Sequence, residues 1–159
     1  MKSQSKVDRV SESEIAVSRT INGPSRIVFE AWANPELFNT WWVPKSAPIT
    51  LVSCKMEVRT GGRYHLGFKM GDQSAEFFGK YLEVIPYSRI VWTNEEGGEG
   101  DATITTVTFK EIDGKTLVTV HDLYPSKVAL DEAIATGSSG AMPEQLDQLD
   151  RFIVDQRNR

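Results

Sequence analysis

Apolar residues along this chain recur first at every second position, then every third or fourth, then again every second, and finally every third or fourth. The opening alternation, Glu14 to Ile21, predicts a strand. It ends at Asn22-Gly23-Pro24, a turn that puts a proline at the first position of a helix. In that helix, from Pro24 to about Trp32, the residues Ile27, Val28, Ala31 and Trp32 share one face. Asn34-Pro35-Glu36 restarts the helix with a cap, a proline and an acid suited to the positive end of the dipole. Leu37, Phe38, Trp41 and Trp42 then share its inner side, and Pro44 and Pro48 lead out into extended chain. So short a helix cannot easily bury both tryptophans, so one is expected in the core and the other partly exposed.

From Ile49 to Leu123 the period returns to two. Strands are predicted over Ile49–Val58, Gly62–Met70, Ala75–Ile85, Arg89–Asn94, Ala102–Ile112 and Lys115–Leu123. Their separators are Gly61-Gly62, Gly71-Asp72, Pro86-Tyr87-Ser88, the run Glu96 to Asp101, and Asp113-Gly114, the strongest hairpin signal of the set. Such short connections imply antiparallel pairing. In Gly62–Met70 the core side is assigned to Tyr64, Leu66, Phe68 and Met70, with Arg63, His65 and Lys69 opposite. Phe77, Gly79 and Tyr81 are placed on one side of the next strand, although Phe78 and Leu82 blur that alternation.

The last segment is helical again. Ser126 can cap a short helix through Val128, Leu130, Ala133 and Ile134, interrupted over Thr136 to Gly140. Met142, Leu146, Leu149 and Ile153, widened by Phe152, then form one apolar stripe, and Pro143 keeps the regular helix from starting before about Gly140. One sheet face and this stripe must bury each other. The expected architecture is α+β: a curved antiparallel sheet wrapped around a long C-terminal helix, with two short helices between the first strands.

Charge and composition narrow the partners. Eighteen Lys and Arg against 22 Asp and Glu leave a net charge of −4, which argues against nucleic acid. Cys54 is the only cysteine, and with His65 and His121 as the only histidines no metal-ligand spacing appears, so no metal or cofactor is expected. A reduced cytoplasm fits, with no membrane-spanning stretch and no signal-peptide hydrophobic region. Residues 1–12 read as a flexible tail and residues 13–159 as one domain.

Four groups of residues carry a family likeness: Trp32 with Trp41-Trp42-Val43-Pro44; Gly61-Gly62-Arg63-Tyr64; Gly79 to Pro86 with Arg89-Ile90-Val91-Trp92-Thr93; and Gly114 to His121. In order and spacing, from about Ile15 to Ile153, the chain resembles the activator of heat-shock-protein-90 ATPase homologue-like family of the START/Bet v 1-like (SRPBCC) superfamily. The resemblance implies a helix-grip fold, often with an elongated apolar cavity between sheet and C-terminal helix. It also implies a choice among co-chaperone domains, polyketide cyclases, lipid carriers and antibiotic-sequestering proteins, which fold alone does not make.

The expected cavity wall is Tyr64, Phe68, Phe77, Tyr81, Trp92, Met142, Leu146 and Leu149, joined by Phe38 and Trp42 from the second short helix. Any one of these could simply fill the core, whereas an apolar set with a few polar handles is what small-molecule pockets show, typically over roughly 300–1,000 Å³. Tyr64, Tyr81, Thr119 and His121 are the candidate handles. His121 is the candidate acid–base residue, although no carboxylate can be paired with it from sequence and a structural role weighs more heavily. His65 is expected to face solvent, and Cys54 to be an inert, buried thiol. Glu76, Glu83, Glu111 and Asp122 supply carboxylates without defining a pair. The glycine- and glutamate-rich run near Gly97 lacks a lysine and would repel phosphate.

The leading expectation is a binding domain for an apolar or aromatic small molecule. A polyketide-cyclase- or hydrolase-like enzyme using His121 or a tyrosine is the first alternative, and a co-chaperone-like module is the second. Against the module, the likeness fills the chain and leaves no room for an added N-terminal domain. A homodimer through the tryptophan pair or a sheet edge is a further expectation.

Overall fold

The computed structural model describes residues 5–95, 102–136 and 141–157. Its strands are β1 (Lys6–Arg9), β2 (Glu14–Ile21), β3 (Thr50–Met56), β4 (Arg63–Met70), β5 (Gln73–Ile85), β6 (Arg89–Asn94), β7 (Thr103–Ile112) and β8 (Lys115–Leu123). They form one antiparallel sheet in the order β1-β2-β8-β7-β6-β5-β4-β3. Helices α1 (Ser25–Ala33) and α2 (Pro35–Trp41) follow β2, while α3 (Lys127–Thr136) and α4 (Met142–Arg157) follow β8. The β7–β8 hairpin turns on Asp113 and Gly114, with φ of 54° and 79°, the left-handed pair that the Asp-Gly dipeptide favours.

One expectation is corrected at the N-terminus. Residues 6–9 lie inside the segment read as a flexible tail, yet they pair as β1 with β2, Lys6 opposite Ser18 and Arg9 opposite Ile15. All four are exposed, so no apolar pattern marks the strand; the open edge of β2 supplies main-chain partners instead. Arg9 reinforces it through Asp131 at 2.6 Å.

The helices are seated by long-range polar bonds as well as by apolar faces. In α1 the buried residues are Val28, Phe29, Ala31 and Trp32; Ile27 is only half-buried, because Phe29 turns in against Tyr87 and Phe109 at 5.7 and 5.4 Å. Glu111 of β7 accepts from Ser25 N at 2.8 Å and so serves the α1 N-terminus. Asn34 caps α2 by accepting from Glu36 N at 2.9 Å. Trp41 is 1% exposed and Trp42 is half-buried, which divides the pair as the short helix requires.

In α4, Leu146, Leu149 and Ile153 are fully buried, while Met142 and Phe152 are half-buried beside them. Arg19 of β2 pairs with Asp147 and, at 3.2 Å, with Asp150, which also accepts from Asn22 N at 2.8 Å. In α3, Leu130 and Ala133 are buried, but Val128 and Ile134 are exposed, so its apolar face is narrower than the sequence pattern implied. The interruption at 137–140 and the run Glu96 to Asp101 lie outside the described residues.

Candidate functional site

Between the concave face of the sheet, α2 and the start of α4 lies a cavity of about 500 Å³. Its wall is largely aromatic and aliphatic: Trp32, Phe38 and Trp42 from the short helices; Tyr64, Leu66, Phe68, Phe77, Tyr81, Ile90 and Trp92 from the sheet; and Met142 from α4. Phe38 stacks on Trp42 with ring centroids 4.6 Å apart, and Trp32 lies within 5.9 Å of both Trp42 and Trp92. The buried indole N–H of Trp32 has no hydrogen-bond partner among the described residues.

Strand register builds the polar end. Tyr81 of β5 sits opposite Trp92 of β6, Trp92 opposite Thr105 of β7, and Thr105 opposite Asp122 of β8, so one row crosses four strands and all four side chains line the cavity. Close by, Tyr64 Oη lies 2.6 Å from Thr93 O and 3.0 Å from Asn94 Oδ1; Asn94 Nδ2 donates to Thr105 Oγ1 at 3.1 Å; and Thr105 Oγ1 donates to Asp122 Oδ1 at 2.5 Å. Burial pushes the Asp122 carboxyl pKa up, against the Thr105 bond and the charge of His121, which pull it down. Burial also raises the pKa values of Tyr81 and Tyr124, helped in Tyr124 by the nearby Asp122 charge.

Of the expected wall residues, Phe38, Trp42, Tyr64, Phe68, Phe77, Tyr81, Trp92 and Met142 border the cavity. Phe77 does so while 40% exposed, set edge-on to Phe68 at 5.2 Å. Leu146 and Leu149 do not: both are fully buried in the core beneath α4. Thr119 and His121 are corrected as handles. On β8 the inward positions are Thr116, Val118, Val120 and Asp122, so Thr119 and His121 occupy the other face, and His121 Nε2 meets Glu14 Oε2 at 3.2 Å there.

Met70 is also exposed, at the end of β4. His65 faces outward, half-buried, with Glu76 at 3.5 Å. Cys54 is half-buried near Met56 Sδ at 3.5 Å, and burial raises its thiol pKa, which leaves it a poor nucleophile. No group of three or more His, Cys, Asp or Glu among the described residues is placed to hold a metal ion. Among them, no helix is long and apolar enough to cross a membrane.

The sequence reading missed the closure of the cavity's rim. Gln145 Nε2 of α4 donates to Trp42 O at 2.7 Å, and Gln148 Nε2 donates to Trp41 O and Val43 O, both at 2.8 Å. Gln148 Oε1 accepts from Lys45 N at 2.8 Å, and Glu144 from Ser46 N at 3.0 Å. The C-terminal carbonyls of α2 therefore find donors on α4 in place of a glycine cap. Gln145 and Gln148 sit among apolar neighbours in an amphipathic stripe; a polar residue on the inner side of such a stripe is the available signal.

A curved sheet gripping a C-terminal helix over a largely apolar cavity defines the helix-grip class. The family described as Activator of Hsp90 ATPase homolog 1-like protein matches residues 22–153, and the chain belongs to that family. Solved structures agree at the level of fold. A Rhodobacter sphaeroides protein superposes with a TM-score of 0.85 at 16% identity, covering 95% of this chain and 98% of its own. A Nitrosomonas europaea protein gives 0.83 at 18%, covering 94% and 99%. An Aeromonas hydrophila protein described as AHSA1-like gives 0.74 at 18%, covering 92% and 95%. No curated protein matches the sequence.

Proposed function

We propose that this protein is a START-like binding domain that encloses an apolar or aromatic small molecule between the sheet and α4. The observation that carries this reading is the cavity itself: about 500 Å³, walled by aromatic rings and finished at one end by Asn94, Thr105 and Asp122. That combination of apolar body and few polar groups is how small-molecule sites achieve both affinity and orientation. The cyclase or hydrolase alternative gains no support from His121, which faces away from the cavity. The interaction-module and tryptophan-mediated dimer readings would need an exposed tryptophan patch, whereas Trp41 is buried and Trp42 stacks on Phe38.

The test joins native mass spectrometry with tryptophan fluorescence. Protein from its own host is expected to carry, or to take up from a panel of aromatic and lipid compounds, one molecule per chain, and to change its indole emission on binding. No adduct and no spectral response across the panel would overturn the proposal.

A further inference from the structure

The cavity contains a chemical asymmetry that its apolar character conceals. Among the described residues that line it, Asp122 is the one carboxylate and none is Lys, Arg or His. A carboxylate withdrawn from water is costly unless a counter-charge or hydrogen bonds meet it. One oxygen is met: Thr105 has its own oxygen engaged by Asn94 Nδ2, so its hydroxyl hydrogen is directed onto Asp122 Oδ1. No described residue donates to Oδ2. Among the described residues, none on the wall supplies the cation that would complete the site.

From this geometry we infer that the bound molecule is an amine: its protonated nitrogen pairs with Asp122, and its apolar or aromatic body lies along the row from Thr105 through Trp92 to Tyr81. The row carries the aromatic side chains of Trp92 and Tyr81 on the same wall, two and three strands from the carboxylate, and aromatic rings also attract a cation. An anionic guest of the same shape would meet Asp122 with no positive group on the described wall to pair with it, so fatty-acid-like carboxylates are disfavoured. The chain's net charge of −4 acts in the same direction on approach. The inference rests on the binding reading above and specifies its ligand class.

Four isosteric probes separate the possibilities: 2-naphthylmethylamine, 2-naphthalenemethanol, 2-acetonaphthone and 2-naphthoic acid, titrated against the whole protein at pH 7 by tryptophan quenching and calorimetry. The amine is expected to bind at least about tenfold more tightly than the alcohol, with the acid weakest, as a charge-assisted bond in a largely apolar site predicts. In Asp122→Asn, which retains an acceptor for Thr105, the amine-to-alcohol ratio is expected to fall close to one. The wild-type ratio needs no variant. Equal binding of amine and alcohol, or tightest binding of the ketone, would overturn the amine inference while leaving a binding domain in place. Failure of all four probes, joined by silence across the broader panel, would overturn both.

Discussion

Gln148 of α4 donates to the main-chain carbonyl of Trp41 at 2.8 Å, across 107 residues of sequence. The same amide also serves Val43 O and Lys45 N, so one side chain satisfies the C-terminal end of α2 and fixes the strap beside the cavity. Gln148→Leu keeps the volume but strands these groups, and a loss of about 3 kcal/mol is expected in urea denaturation. Gln148→Glu should do no better, because a carboxylate cannot donate to the two carbonyls. Wild-type stability in either variant would show that the contacts carry little.

Two buried tryptophans should respond differently to the same change. Trp41 Nε1 donates to Ala31 O at 2.9 Å, one of the last carbonyls of α1, whereas the Trp32 N–H has no partner among the described residues. Trp41→Phe is expected to cost about 1–3 kcal/mol more than Trp32→Phe, since it alone leaves a buried acceptor unmet. Equal losses in thermal or urea unfolding would refute this assignment.

Asp122 links stability to pH. Its pKa is raised on folding, so the folded state binds a proton more tightly than the unfolded chain. That contribution is complete below the ordinary carboxylate range and is lost as pH rises through the folded value. Asp122→Asn should therefore be the more stable protein at pH 7, with the advantage shrinking toward pH 4. A pH-independent difference between the two urea curves would contradict the burial argument.

Gly79 allows β5 to approach β6 closely. A Cβ there would stand 1.9 Å from Thr93 O, so Gly79→Ala must push the strands apart, at a cost of about 3 kcal/mol or more. Because Asn94 follows Thr93 and Trp92 precedes it, probe binding should weaken as well. Gly71→Ala, at φ +61° with open space around it, is expected to cost about 1 kcal/mol and leave binding intact. Denaturation and fluorescence titration of both variants check the contrast.

Filling the cavity from its rim tests occupancy directly. Ala47 lines the space from the segment between α2 and β3, away from the strand ladders. Ala47→Trp is expected to retain the fold by circular dichroism and to reduce naphthyl-probe affinity at least about tenfold. Unchanged affinity would place the probe elsewhere.

These residues also show where sequence pattern suffices. β4 was legible because Tyr64, Leu66 and Phe68 alternate with Arg63, His65, Gly67 and Lys69, and the Asp113-Gly114 hairpin because its dipeptide demands a particular backbone. β8 was harder. It has apolar residues on both parities, Leu117 on one and Val118 and Val120 on the other, so alternation alone could not tell that Asp122, not His121, turns inward. The α4 glutamines were harder for another reason: their place on the inner side of an apolar stripe is a local signal, but the carbonyls they serve lie about a hundred residues away and nothing local names them.

The strand order also sets a timetable for the growing chain. β3 to β8 are each joined to the next neighbour in space, so that meander can assemble as it is synthesised. β2 emerges before all of it, yet its inner partner is β8, with Glu14 opposite Leu123, and its arginine awaits Asp147 and Asp150 of the last helix. Such distant pairing closes late and slowly. Pulsed hydrogen exchange during refolding should protect the amides of β4 to β7 before those of β2: the first strand pair made is the last to find its place.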